Sequence, residues 1–147
     1  MLLGYMVEIS NSTRDSVDLD FLRSVAIKVL SQEQRKDANL SVAFVDAKRM
    51  AEIMLTSNVR GKTYKGKKKV ANVLSFPFTD NQGKPMKEFG LGEIVLCKSV
   101  IAKDAKKYGI TVKNALAFMM VHGILHLVGY SHTAMQNKES FYLSRLL

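Results

Sequence analysis

Cysteine is nearly absent from this chain of 147 residues, in which Cys97 is the only one. A single thiol excludes an intramolecular disulfide and any zinc site built from several cysteines, and it is typical of a reducing compartment. The N-terminal sequence MLLGYMVEIS also lacks the basic leader and the long apolar run of a secretory signal. We therefore expect a cytoplasmic protein.

Charged residues are missing from the segment 114–137, which is the part of the chain that most resembles a membrane span. Histidine, glycine, hydroxyl and amide side chains interrupt it, however, so it contains no unbroken apolar run of about 20 residues. We expect this segment to form a buried core helix and expect no membrane partner.

Positive charge is what the chain has in excess, since its net charge is +9. Six basic residues fall within ten positions that hold no acid: Arg60, Lys62, Lys65, Lys67, Lys68 and Lys69. Such an excess predicts a polyanionic partner, which is a nucleic acid, an anionic membrane surface or an acidic protein. A solvated loop explains the basic run equally well, so the choice depends on what the rest of the chain contains.

The apolar spacing predicts one domain over residues 1–147, with about four strands and five helices in an α+β or α/β arrangement. The predicted strands are 4–10, 39–46, 72–78 and 91–97, and the predicted helices are 19–33, 47–58, 98–108, 112–127 and the tail after His132. The basic stretch 59–71 is predicted to be a loop. Because proline cannot donate to a ladder, Pro77 indicates a sheet edge or a strand end.

All three histidines of the chain lie in the stretch HGILHLVGYSH, at His122, His126 and His132. The first two are one helical turn apart, so their imidazoles share a helix face. Gly129 can end that helix in a left-handed conformation, which lets His132 complete a metal site from a loop. This is the ligand spacing of metzincin zinc sites, and three histidines with an open position are typical of a catalytic zinc. Three imidazoles also suit nickel or copper.

The general base of a metalloprotease is missing from this motif. Metzincins carry Glu directly after the first histidine, where this chain has Gly123, and no carboxylate occurs between Asp104 and Glu139. A bound zinc can still lower the pKa of water to about 7. A polyanionic substrate suits this motif, because a carboxylate there would repel phosphate and none is present. It also suits the basic stretch, which would attract phosphate.

The chain resembles the YbeY family of single-domain, metal-dependent endoribonucleases. The resemblance rests on HGILHLVGYSH at 122–132, VLSFP at 73–77 and LGEI at 91–94. It implies a zincin-like α+β fold with a mixed four-stranded sheet, one Zn²⁺ held by the three histidines, and RNA as substrate. It further implies a role in ribosomal RNA maturation and ribosome quality control, with the ribosome or its proteins as partners.

Two positions depart from the family pattern. Ser131 stands where the family has Asp, and a serine hydroxyl can hydrogen-bond but cannot act as a carboxylate base. In the family's Y-R-G-K segment the arginine position is taken by Lys65, which keeps the charge but loses the planar fork that grips phosphate. Arg60 is the alternative for that role.

The hypothesis that follows is a zinc-dependent endoribonuclease with a metal-bound water at the open position. Its proposed catalytic groups are Lys65 and Ser131, and its proposed substrate-binding residues are Arg60, Lys65, Lys67, Lys68, Lys69 and Ser75. Glu93 could hydrogen-bond near the metal or form a surface salt bridge. Two alternatives stay open: a non-catalytic RNA- or ribosome-binding assembly factor with a structural metal, and a zincin-like peptidase, which Gly123 disfavours.

Overall fold

The computed structural model describes residues 6–35, 39–59, 62–63, 69–84, 86 and 90–146. The helices of this part are α1 (Leu19–Gln32), α2 (Ala47–Thr56), α3 (Lys98–Tyr108), α4 (Val112–Val128) and α5 (His132–Leu146). Its strands are β1 (Met6–Asn11), β2 (Asn39–Phe44), β3 (Asn58–Val59), β4 (Lys62–Thr63), β5 (Val73–Pro77) and β6 (Gly92–Leu96). The predicted elements are all present, with ends that differ by a few residues.

The main sheet has four strands in the order β1-β2-β6-β5. The first three strands run parallel, whereas β5 pairs antiparallel with β6, so the sheet is mixed. Pro77 is the last residue of β5, and β5 is an edge strand. The predicted location of Pro77 at a sheet edge or a strand end is therefore confirmed, as expected for a residue without a backbone N–H. The α+β prediction with four strands and five helices is confirmed.

A small hairpin replaces part of the predicted loop 59–71. Here β3 and β4 pair antiparallel, with Asn58 opposite Thr63 and Val59 opposite Lys62. The prediction of a loop was therefore wrong at 59 and 62–63, because two-residue strands are too short to show an alternating apolar pattern. Residues 60–61 and 64–68 of the predicted loop lie outside the described part of the chain. The helix predicted to run to 58 ends at Thr56 for the same reason, since the chain enters the hairpin there.

Side-chain caps start the helices where the sequence predicts them. The Asp18 carboxylate accepts a hydrogen bond from the Phe21 N–H at 3.0 Å, and the Thr111 hydroxyl accepts one from the Asn114 N–H at 3.1 Å. Each cap satisfies one of the N–H groups that have no partner inside their helix. The starts of α1 and α4 are thereby fixed.

The sheet is covered on both faces. One core includes Val42 and Ile94 of the sheet together with α1, α3, α4 and α5. The other places Leu74 and Val95 against Met50 of α2. Neighbouring residues of β6 thus enter different cores, as the two-residue period of a strand requires.

Helix α4 lies unusually close to β6. A Cβ on Gly123 would be 2.9 Å from Ile94 Cδ1, and a Cβ on Gly92 would be 2.8 Å from Leu127 Cδ2 and 2.5 Å from the Phe76 carbonyl oxygen. Real Cβ atoms essentially never come this close to other heavy atoms. The two glycines therefore allow the helix to sit directly on the strand.

The buried carboxylate of Glu33, just after α1, holds α5 in place. Its side chain is 4% exposed and accepts hydrogen bonds from the Tyr130 and Tyr142 hydroxyls and, at 3.3 Å, from Lys138 Nζ. Burial alone would raise the pKa of Glu33, but these three donors outweigh it and lower that pKa. Tyr130 lies in the turn between α4 and α5, so the same carboxylate fixes the turn.

Within the described residues, no single helix is both long and apolar enough to cross a membrane. Helices α3 and α4 together have the length and the apolar composition of a span, but the chain bends by 114° between them.

We predict that Gly92→Ala lowers the free energy of unfolding by about 3 kcal/mol, because the new methyl group overlaps backbone atoms that cannot yield. Gly83→Ala is the control: its φ is also positive, at 81°, but nothing lies within 4 Å of its Cβ position. That change should cost about 1 kcal/mol. Urea unfolding of both variants measures the difference, and equal losses would contradict the close packing at Gly92.

We predict a pH-dependent contribution from Glu33. Because its pKa is lowered in the folded protein, its stabilisation is present above the ordinary pKa of 4.5 and is lost as the pH falls through the folded value. Glu33→Gln should cost about 2 kcal/mol near neutral pH, and this cost should shrink in acid. Urea unfolding across that pH range measures it, with exposed Glu8→Gln as control. A cost that does not change with pH would refute the prediction.

Candidate metal and RNA-cleavage site

Helix α4 presents two of the three histidines. Its residues Ile124 and Leu125 are buried against the core, while His122 and His126 lie on the partly exposed side. Gly129 ends the helix with φ 102°, and its N–H bonds to the His126 and Leu125 carbonyls. The predicted helix and its glycine end are therefore confirmed.

The imidazoles of His122 and His126 meet directly. Their Nε2 atoms are 3.1 Å apart, and their ring centroids are 4.6 Å apart. Two nitrogens that bind one zinc at about 2.0–2.1 Å in tetrahedral geometry are roughly 3.3 Å apart. The pair therefore has the spacing of two ligands on one metal ion.

His132 approaches the same point from α5. The sequence suggests a loop at this position, but His132 is the first residue of α5 and is exposed. Its ring centroid is 5.9 Å from that of His126, with the ring planes at 85°. Three imidazoles around one zinc have centroids roughly 5 Å apart, so the rings of His126 and His132 are farther apart than two ligands of one zinc.

Within the described residues, no group of three His, Cys, Asp or Glu side chains already stands close enough to hold a metal ion. Since His122 and His126 have the required spacing, the remaining adjustment falls on His132, whose exposed ring has room to turn. The donor set also suits a metal, because neutral imidazoles are ligands for zinc and related transition metals. The three residues therefore fit the metal that the family pattern implies.

Glu139 of α5 orients the first histidine. Its Oε1 is 2.7 Å from His122 Nδ1, and its side chain is 12% exposed. An ionised carboxylate only accepts, so Nδ1–H donates to it and the lone pair of the ring is on Nε2. That nitrogen is the one that faces His126. Sequence reasoning missed Glu139, and its position seven residues after His132 on a helix is the one signal that could have suggested it.

The position of the protease base is closed by packing. Gly123 is buried, and Ile94 of β6 occupies the space that a side chain would need. A glutamate at this position would therefore be directed into the core and away from the histidines. This geometry argues against the peptidase alternative.

Two serines from the sequence hypothesis already make hydrogen bonds. The Ser131 hydroxyl accepts from the Ala134 N–H at 3.3 Å, as a helix cap does. Aspartate caps helices equally well, so Ser131 makes the cap that an aspartate at this position could make. The Ser75 hydroxyl donates to the Gly123 carbonyl at 3.3 Å and so ties β5 to α4.

Most of the predicted substrate residues lie outside the described part of the chain: Arg60, Lys65, Lys67 and Lys68. Lys69 is described and is exposed, beside Asn72 and close to α3 and α4. Glu93 lies on the face of the sheet opposite Ile94 and α4, together with Glu8 and Ser41. It is therefore remote from the histidines.

Comparisons with known proteins agree with this arrangement. The family model described as Endoribonuclease YbeY matches residues 8–145. Proteins described as endoribonuclease YbeY from Staphylococcus aureus strains JH9 and Newman are 37% identical over 113 residues, which are 71% of this chain and 67% of each relative.

A solved structure has the same fold. The solution structure of TM1509 from Thermotoga maritima superposes with a TM-score of 0.66 at 24% identity, covering 96% of this chain and 89% of that one. The fold and the resemblance inferred from three sequence motifs are thus confirmed. This chain belongs to the YbeY family of metal-dependent endoribonucleases.

Proposed function

We propose that this protein is a zinc-dependent endoribonuclease that cleaves single-stranded regions of ribosomal RNA during maturation and ribosome quality control. The family assignment gives the class of enzyme, a hydrolytic endoribonuclease that acts in ribosomal RNA processing. The choice of zinc, the single-stranded regions and the association with the ribosome are the proposal. We propose that it acts in the cytoplasm, as one domain over residues 1–147.

The observation that carries the proposal is the pairing of His122 and His126 on α4. Their Nε2 atoms are 3.1 Å apart, and the carboxylate of Glu139 holds His122 in the tautomer that leaves Nε2 available. We propose that these two histidines and His132 hold one Zn²⁺ per chain. Bound zinc would supply a Lewis acid for the phosphoryl oxygen and would acidify a water molecule.

Basic residues of the stretch 60–69 would bind and orient the RNA. We propose that Lys65 positions the phosphate, with Arg60 as the alternative, and that Lys67, Lys68 and Lys69 add positive charge along the backbone of the RNA. Ser131 stands directly before His132, and Ser75 is bonded to the helix that carries the other two histidines. We propose that both serines lie at the margin of the RNA site.

We predict that His126→Ala abolishes both zinc binding and RNA cleavage while the protein stays folded. Wild type should carry about one zinc per chain and cut labelled ribosomal RNA, because three imidazoles leave one coordination position open. Metal analysis, circular dichroism and a gel assay measure the three properties. The control is Asn137→Ala at an exposed position of α5, which should match wild type.

The other outcomes of this experiment separate the alternatives. A wild-type protein that binds zinc and RNA but never cuts the RNA would be an assembly factor. Loss of folding in His126→Ala would identify the metal as structural. Absence of zinc from the wild type would contradict the proposal itself.

We predict that Glu139 sets the zinc affinity through its hydrogen bond to His122. Glu139→Gln keeps an oxygen that accepts the bond but loses the charge, and Glu139→Ala loses both. We expect about 10-fold weaker zinc binding for Gln and up to about 100-fold for Ala. Competition with a coloured chelator measures the affinity, and ¹⁵N NMR of the His122 ring reports its tautomer.

Glu52→Gln, at an exposed position of α2, is the matched control for these variants and should bind zinc as wild type does. If both Glu139 variants also kept the wild-type affinity and the Nδ1–H tautomer of His122, Glu139 would have no part in orienting the ligand.

A further inference from the structure

A groove of about 420 Å³ lies between α3, α4 and the segment that leads into β5. Its lining includes Lys69, Asn72, Lys107, Tyr108, Ile110 and Phe118. None of these residues is needed to hold the metal. The groove is therefore not part of the proposed metal site itself.

The groove exposes large apolar side chains. Tyr108 is 71% exposed and Ile110 is 47% exposed, and they are two of the four large apolar side chains that are exposed in the described part of the chain. Exposed apolar surface gathered in one place, and not scattered singly, is a mark of a binding site. Phe118, which is half-buried, extends this surface along α4.

Phe118 brings one end of the groove next to the histidine cluster. The ring of Phe118 lies nearly parallel to that of His122, with centroids 6.2 Å apart and an angle of 14° between the planes. Phe118 thus contributes to the groove and also stacks on a proposed metal ligand. An RNA strand with its scissile phosphate at the histidines would place a neighbouring nucleotide in this groove.

The charges in the groove favour a polyanion along its rim. Lys69 and Lys107 contribute two cations, and Lys107 Nζ lies 5.7 Å from the centroid of the Tyr108 ring. The one acid among the lining residues, Asp104, accepts a hydrogen bond from Asn72 Nδ2 at 3.1 Å. Phosphates would therefore follow the lysines, while an uncharged base faces the aromatic and amide side chains.

We infer that this groove binds a nucleobase of single-stranded RNA next to the cleavage site, with the base stacked on Tyr108 and its phosphate beside Lys107. The occupant is single-stranded because the bases of a duplex are not available to stack on a side chain. Aromatic platforms with neighbouring cations are the usual device for such binding. The inference rests on the proposed ribonuclease function.

The test measures binding of a fluorescein-labelled 2′-O-methyl oligoadenylate of about 12 nucleotides by fluorescence anisotropy at several salt concentrations. The oligonucleotide is checked on a gel after each titration. Tyr108→Ala should weaken binding roughly 5- to 10-fold with an unchanged salt slope, since stacking releases no counterions. Tyr108→Phe keeps the ring and should bind nearly as wild type does.

Lys107→Ala should weaken binding and also reduce the salt slope by about 0.7, as loss of one phosphate contact to a single strand requires. Leu55→Ala, with a side chain 60% exposed on α2, and Lys28→Ala, exposed on α1, are the apolar and charged controls. Both should match wild type.

Wild-type affinity in Tyr108→Ala would overturn the inference, as would equal losses in Tyr108→Ala and Leu55→Ala. Cleavage of ribosomal RNA by the zinc-loaded wild type is measured beside these titrations. If the wild type cuts RNA and Tyr108→Ala binds normally, the groove assignment fails and the ribonuclease stands. If Tyr108 governs binding but no RNA is cut, the ribonuclease fails and the groove stands.

Discussion

The contact between α4 and β6 is the constraint on which the rest of the structure depends. The helix can lie this close only because Gly123 faces Ile94 and Gly92 faces Leu127, each without room for a Cβ. Ser75 on β5 adds a hydrogen bond to the carbonyl of Gly123. A helix fixed to the sheet in this way holds its two histidines in a constant position, which a metal site needs. The packing that leaves no room for a glutamate at position 123 is thus the packing that positions the two proposed ligands.

Helix α5 supplies the rest of the site and is attached by a separate interaction. Glu33 binds Tyr130 in the turn before His132 and Lys138 and Tyr142 on α5 itself. This attachment places Glu139 against His122. The proposed metal site therefore lies where two helices meet, one held by apolar packing on the sheet and the other by a buried carboxylate together with its own apolar packing.

Features that depend on local sequence were predictable. The spacing of His122 and His126, the glycine end at Gly129 and the cap at Thr111 each follow from residues within one or two helical turns. The partners of these residues were not predictable, because Glu139 is 17 residues from His122 and Glu33 is 97 residues from Tyr130 along the chain. The sequence showed that Gly123 stands where a metzincin has its general base. Its packing on Ile94 could not be predicted, because it depends on how the helix is placed on the sheet.

The hairpin at β3 and β4 was missed because its strands have two residues each.

We propose that three histidines held by α4 and α5 form one metal site with an open position. X-ray absorption of the zinc-loaded protein tests it most directly, since it counts the ligands and gives their distances. We expect three imidazole nitrogens and one oxygen at about 2.0–2.1 Å. A shell with fewer than three imidazoles, or with sulfur at about 2.3 Å, would contradict it.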